Sequence, residues 1–274
     1  MMHYYPAPAK INRFLRIVRQ EDNGYHYLQT IFQFISLTDT LGFELRTDDQ
    51  IVADYHNEFI HEGNDLIVKA IRLLQAKSGR TTGVTITLDK HIPMGAGLGG
   101  GSSNAATALM AINELYGLHY SSETLQALGR TLGADVPIFI YGQSAWAEGI
   151  GDQFIPMMPE ESEQYLIVPP IAISTQKVFQ SEHLARNHRM LPQSPDQPYL
   201  NDCTSAIVAL YPQMGRYLTQ LTNIGVMPKI TGTGACIYID VPTESQMAQL
   251  MDLANLEGWQ VLPFKTLNRS PFHA

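Results

Sequence analysis

The sequence predicts an α+β chain of two domains, residues 1–160 and 161–274, with a ligand site in the cleft between them. Strand-like and helical patterns alternate through the first half, and a polar, proline-containing stretch over residues 156–163 ends it. A second half then reopens on an apolar strand. Glycine-rich turns occur in both halves, which places the ligand-facing backbone on either side of the junction. A chain of 274 residues holds ample material for two modest cores.

Residues 9–19 read as a strand, as do 31–37 and 42–47. A helix opens at Asn64, which can cap it, and Asp65 suits the dipole there. Leu66, Ile67, Ala70, Ile71 and Leu74 form its apolar face, and Lys77 and Gly79 mark its end. Val84, Ile86 and Leu88 alternate with threonines as a strand. After a glycine loop, Ala105, Ala108, Leu109, Ile112, Leu115 and Tyr116 trace one face of a helix ending near Gly117. A further helix over 122–132 leads into Gly133-Ala134-Asp135-Val136-Pro137.

The second half begins with a strand near residues 165–169 and passes through a proline-rich polar loop over 187–199. A helical pattern over 203–221 is interrupted by Pro212, which lacks the N–H a helix interior needs. Thr231-Gly232-Thr233-Gly234 is a glycine turn before a strand over 235–240. Thr243 and Gln246 make a capping box for a helix with Met247, Leu250, Met251 and Ala254 on one face. Gly258 closes it, ahead of a strand over 259–263.

The chemistry-bearing segment is the loop before the Ala105 helix: Pro93, Met94, Gly95, Ala96, Gly97, Leu98, Gly99, Gly100, Gly101, Ser102 and Ser103. Its glycines let the main chain approach a ligand closely, and the unpaired amides and positive dipole at a helix N-terminus favour phosphate. A Walker A loop needs a lysine where Gly101 stands. Gly95, Gly97 and Gly100 match G-x-G-x-x-G, but Glu114 lies inside the following helix, whereas a dinucleotide fold wants its acid at the end of the next strand.

Charge narrows the partners. Lys plus Arg is 18 and Asp plus Glu is 26, a net charge of −8 with no basic stripe, so nucleic acid is not an expected partner. The first residues carry no signal-peptide pattern, and the apolar stretch over 165–173 is broken by Pro169 and Pro170, so a cytoplasmic protein without a membrane span is expected. Cys203 and Cys236 lie far apart and read as small buried residues. The histidines show no compact metal spacing.

Four segments, Pro8-Ala9-Lys10-Ile11-Asn12, the loop over 93–103, Gly133-Ala134-Asp135-Val136-Pro137 and Thr231-Gly232-Thr233-Gly234, resemble the GHMP kinase superfamily in order and spacing over nearly the whole chain. Asp22-Asn23-Gly24-Tyr25-His26, and Ile173-Ser174-Thr175 ahead of Phe179, narrow the resemblance to members that act on 4-diphosphocytidyl-2-C-methyl-D-erythritol. The resemblance implies an N-terminal domain like domain 2 of ribosomal protein S5 and a ferredoxin-like C-terminal domain. It also implies transfer of the ATP γ-phosphoryl group to the 2-hydroxyl of that compound, a step of the non-mevalonate (MEP) isoprenoid route.

By the same resemblance Asp135 is the general base, Lys10 its cationic partner and a stabiliser of the developing alkoxide, and Asn12 orients substrate hydroxyls. The loop residues bind ATP, and Asn64 lines the adenosine pocket. Tyr25 and Phe179 sandwich cytosine, His26 hydrogen-bonds its edge, and Thr175 belongs to the same substrate wall. Magnesium enters with the nucleotide. No acidic residue stands out as its ligand, Glu148 in Ala147-Glu148-Gly149 being a candidate. Taken singly these residues have plainer roles: Lys10 a surface charge, Asp135 a turn or cap carboxylate, Tyr25 and Phe179 core aromatics. The competing readings are a homoserine- or mevalonate-type kinase of the superfamily and a nucleotide-binding protein without turnover.

Overall fold

The computed structural model describes residues 1–55 and 65–273. Its frame is a long antiparallel hairpin of β1 (His3–Gln20) and β2 (His26–Leu45). The two strands expected over 31–37 and 42–47 are one strand. Thr38, Asp39 and Thr40 break the apolar pattern between them, yet Asp39 is fully buried because its carboxylate is met by donors from a neighbouring loop. Strand β1 also begins earlier than expected, running through Pro6 and Pro8. Among the described residues its outer side pairs at Phe14 and Leu15 with β8 (Leu200–Asn201) and bridges from Arg19 to Asn187, all beyond the prolines, so the missing proline N–H groups break no ladder there.

Strands β3 (Ile51–Asp54) and β4 (Val84–Asp89) extend this sheet beyond β2, and β5 (Ala145–Glu148) with β6 (Gln153–Pro156) extends it at the other end of that strand. Helix α1 (Leu66–Ser78) buries Ile67, Ala70, Ile71 and Leu74, and its Gly79 cap is left-handed, both as the pattern predicts. Its N-cap is Asp65, not Asn64: Oδ1 accepts from the Ile67 and Val68 amides. Asn64 lies outside the described residues.

Helix α2 (Gly100–Leu115) was expected to bury one face but is buried on every side from Ser103 to Ile112. Alanine at 105, 106, 108 and 111 keeps it thin enough for β1, β2, α1, α3 (Ser122–Leu132) and α4 (Val136–Tyr141) to close around it. Helix α4 went unread in the sequence. It is one and a half turns, too short for a period, with Pro137 in its first turn, where no amide is needed.

In the second half, β7 (Glu163–Val168), β9 (Lys229–Ile230), β10 (Ile237–Asp240) and β11 (Gln260–Leu267) pair antiparallel in the order β11-β7-β10-β9. Counted from their own first strand that is 4-1-3-2, the ferredoxin-like order. Helices α5 (Thr175–Gln180), α6 (Thr204–Leu210) and α7 (Pro212–Asn223) fill the first connection, and α8 (Glu244–Glu257) fills the last, opened by the expected Thr243–Gln246 capping box.

A cut after residue 160 falls between β6 and β7, but the halves are not independent. Strand β11 continues onto β2 through Thr266 and Leu267, and Leu15, Ile17 and Leu28 of the hairpin pack in the second core. A third apolar cluster, including Ile11, Leu98, Leu166 and Tyr238, joins the two. Both cysteines are buried and unpaired, and burial pushes each thiol up to about 12, which leaves them inert at neutral pH. No helix among the described residues is long and apolar enough to cross a membrane.

Candidate active site

A cavity of about 640 Å³ runs between the halves and is lined by the glycine loop, by β1 and β2, by the start of α4, by α5 and by the Thr231 turn. That is the size of a small-molecule site. Every loop residue from Pro93 to Ser102 lines it, while Ser103 points inward and its hydroxyl is buried without a partner. Gly95, Gly97 and Gly99 all have positive φ, and Gly99 is the left-handed N-cap of α2. The loop therefore needs glycine at these positions. It is also pinned: the Leu98 carbonyl accepts from the Lys10 amide at 3.0 Å and the Ala96 carbonyl from the Cys236 amide at 3.2 Å. The β1–β2 register shifts just before Lys10, between Pro8 and Lys10.

Lys10 and Asn12 share one face of β1, as their spacing of two requires. The Lys10 side chain is only 4% exposed, so it is no surface charge. Its ammonium donates to Asn12 Oδ1 at 2.8 Å and to the Gly97 carbonyl at 3.2 Å, and lies 3.3 Å from Asp135 Oδ2. Asp135 stands at the N-cap position of α4, yet its side chain caps nothing and is 38% exposed. A carboxylate that faces the cavity and is held from behind by a buried ammonium can take a proton from a bound hydroxyl. The Asn12 side chain is engaged on both ends, since Nδ2 donates to Thr30 Oγ1 at 2.8 Å. In this structure it positions Lys10.

The opposite wall is the Thr231 turn. Thr231 Oγ1 accepts from the Asn12 amide, and Asn201 Nδ2 donates to the Ile230 and Gly232 carbonyls. Beside it, Thr175 at the start of α5 exchanges a hydrogen bond with Thr233 at 2.8 Å, and Phe179 one turn on also lines the cavity. Phe179 packs on His26, ring centres 5.1 Å apart, and no ring pairing joins it to Tyr25 among the described residues. Tyr25 is 57% exposed in the β1–β2 turn, outside the cavity wall. His26 is buried and accepts at Nε2 from Arg186. Burial, and then the Arg186 charge, hold its pKa below the ordinary value.

Three supporting residues carry no sequence signal. Asp39 accepts from Lys90 Nζ, the His91 and Ile92 amides and Asn104 Nδ2, all within 2.9 Å, and so ties the loop entry to α2. Asn201 and Arg186 sit in stretches without periodicity. Glu148 is spoken for: burial raises its pKa, but hydrogen bonds from Trp146, Gln29, Tyr27 and Gln193 outweigh that and hold it below the usual carboxylate value. Among the described residues no group of three or more His, Cys, Asp or Glu side chains could hold a metal.

Comparison with known proteins agrees with this geometry. Residues 65–143 match the GHMP kinases N terminal domain, a span covering the glycine loop, α2 and Asp135. The chain is 42% identical to the 4-diphosphocytidyl-2-C-methyl-D-erythritol kinase of Shewanella denitrificans, over 97% of this chain and 94% of that one. It is 40% identical to the enzyme of that name from Pasteurella multocida, over 98% and 91%. A crystal structure of 4-(cytidine 5'-diphospho)-2C-methyl-D-erythritol kinase superposes with a TM-score of 0.79 at 27% identity, covering 96% of this chain and 99% of that one. A mevalonate kinase at 15% identity and TM-score 0.72, covering 97% of this chain and 100% of that one, shares the fold. At these identities over nearly its full length, the chain belongs to the 4-diphosphocytidyl-2-C-methyl-D-erythritol kinase family of GHMP kinases.

Proposed function

We propose that the protein transfers the γ-phosphoryl group of ATP to the 2-hydroxyl of 4-diphosphocytidyl-2-C-methyl-D-erythritol. The observation that carries this reading is the buried Lys10 ammonium 3.3 Å from Asp135, facing a glycine loop at a helix N-terminus across one cavity. Asp135 accepts the hydroxyl proton as the oxygen attacks the γ-phosphorus. The bond from that phosphorus to the bridging oxygen breaks, and ADP leaves. Lys10 stabilises charge on the entering oxygen, while the loop amides and the α2 dipole hold the phosphates. Phosphoryl transfer asks mainly for this positioning and charge stabilisation.

Magnesium would be held chiefly by phosphate oxygens and water, with Asp135 and the Ser102 hydroxyl as the protein oxygens at hand, which suits an ion that keeps much of its water. It would neutralise phosphate charge. His26, Thr175 and Phe179 serve the cytidine end, with Tyr25 closing over it from the β1–β2 turn. The two halves act as domains flanking the cleft, and the reaction belongs to the cytoplasm and to the MEP route.

The test offers purified protein ATP, magnesium and, separately, the cytidine-linked alcohol, homoserine and mevalonate, and measures ADP and phosphorylated product. Turnover of the cytidine compound alone is expected. Turnover of homoserine or mevalonate in its place would overturn the substrate, and binding of ATP with no turnover of any would overturn the activity.

A further inference from the structure

Arg186 lies outside every motif, yet four of its five guanidinium N–H groups are committed. Nη2 donates to the carbonyls of Phe179 at 2.7 Å and Ser181 at 2.8 Å, Nη1 to the carbonyl of Leu184 at 3.0 Å, and Nε to His26 Nε2 at 2.9 Å. A guanidinium only donates and does not lose its proton in a protein. The imidazole nitrogen it meets must therefore present a lone pair. In a neutral ring the proton then sits on Nδ1, and an imidazolium, which has no lone pair, is opposed by the same contact. Nδ1 makes no hydrogen bond to another described residue. The ring it belongs to is packed behind Phe179, and Phe179 in turn lines the cavity.

We propose that Arg186 is a specificity-determining positioning residue: it fixes His26 as a neutral Nδ1–H donor, so that the site selects cytosine over uracil. The two bases share an acceptor at O2 and differ at N3, where cytosine carries a lone pair and uracil an N–H. A donor held at that edge completes a hydrogen bond with cytosine and meets another donor in uracil. The opposite tautomer would invert the preference. This rests on the reading that a pyrimidine-diphosphate alcohol is the phosphoryl acceptor, and it adds the device that reads the base. Burial acts in the same direction by disfavouring the charged ring.

Two measurements test it. Nitrogen-15 NMR of histidine-labelled free protein, with the His26 signal assigned by its loss in His26→Gln, reads the tautomer without any substrate. Steady-state kinetics with the cytidine- and uridine-linked alcohols reads the discrimination. The wild type is expected to show a neutral Nδ1–H ring at neutral pH and a preference for cytidine of about 10- to 100-fold in kcat/KM, the loss expected when a polar group meets the wrong partner. Arg186→Met is expected to give a mixed tautomer and to collapse that ratio.

An Nε2–H or charged ring in the wild type overturns the proposal. So does an Arg186→Met protein with unchanged tautomer and unchanged ratio, since a merely structural arginine would lower both substrates alike. If Arg186→Met does not fold, the wild-type tautomer and ratio still decide, equal turnover of the two pyrimidines counting against it. If the wild type turns over neither, the functional reading fails, while the tautomer still decides what Arg186 does to His26.

Discussion

The three protons of the Lys10 ammonium face three acceptors: Asn12 Oδ1, the Gly97 carbonyl and the Asp135 carboxylate. One side chain thereby joins the proposed base to the glycine loop, so a substitution at Lys10 would disturb both at once. Asp135→Asn separates them, because asparagine still accepts from the ammonium but cannot take a proton. The turnover rate should fall about 100- to 10,000-fold in single-turnover measurements, with ATP binding retained; near-normal rates would remove Asp135 as the base. The cytidine end offers a second separation. Tyr25 is largely exposed and pairs with no other ring among the described residues, whereas Phe179 packs on His26. An aromatic contact to a base is worth about 1–3 kcal/mol, so Tyr25→Ala should weaken the cytidine substrate by roughly 5- to 150-fold in calorimetry while leaving Tm and ATP affinity unchanged. Phe179→Ala should lose affinity and also lower Tm. If Tyr25→Ala binds the substrate like the parent, the cytosine is held without it.

At the scale of the element, the phosphate loop is shaped by what sits behind it. A Cβ on Gly97 would lie 2.5 Å from the Thr231 carbonyl, while one on Gly95 meets nothing within 4 Å, and both residues have positive φ. Gly95→Ala therefore meets only the left-handed backbone cost of about 1–2 kcal/mol. Gly97→Ala must also push the loop off the Thr231 turn, and its ATP affinity and Tm should fall well below those of Gly95→Ala; equal losses would refute the contact. Asp39 braces the same loop from below, and Asp39→Ala, which strands the Lys90 ammonium, should cost about 3–5 kcal/mol in denaturant unfolding. Elements with their own local signal were legible in the sequence: the α1 face with its Gly79 end, the Thr243 box, and the loop before α2. Those set by tertiary partners were not. The polar residues 38–40 stay in β2 only because Asp39 finds four donors, α4 and α5 are too short to show a period, and Arg186 and Asn201 act from stretches with no pattern. At the site itself, Lys10 and Asp135 each look ordinary alone. Family order singled them out, and the fold brings them together across 125 residues of chain.

Across the whole molecule, two partly desolvated histidines tie the fold to pH, His26 buried and His273 exposed on one side at the surface. His26 sits where the hairpin meets α5, and His273 lies in the closing 3-10 turn (Pro271–His273), packed beneath Gly142 at the end of α4. Burial lowers both pKa values from the ordinary 6.5, helped at His26 by Arg186 and partly offset at His273 by a hydrogen bond with the Ile140 backbone. Below 6.5 the unfolded chain then binds more protons at these positions than the folded one, so stability rises with pH through that window and falls as pH drops from 6.5 toward the folded values. Carboxylates held low in the fold, such as Glu148, act in the same sense but only around and below their ordinary value of 4.5, so the interval above it isolates the histidines. Urea unfolding at several pH values between these limits should show the midpoint falling as the solution is acidified. His26→Gln and His273→Gln should each flatten that dependence, and their effects should add, since the two sites lie in different parts of the fold and share no partner. A parent protein whose midpoint holds steady or rises on acidification, or a double variant as pH-sensitive as the parent, would mean that neither ring is held neutral by the fold.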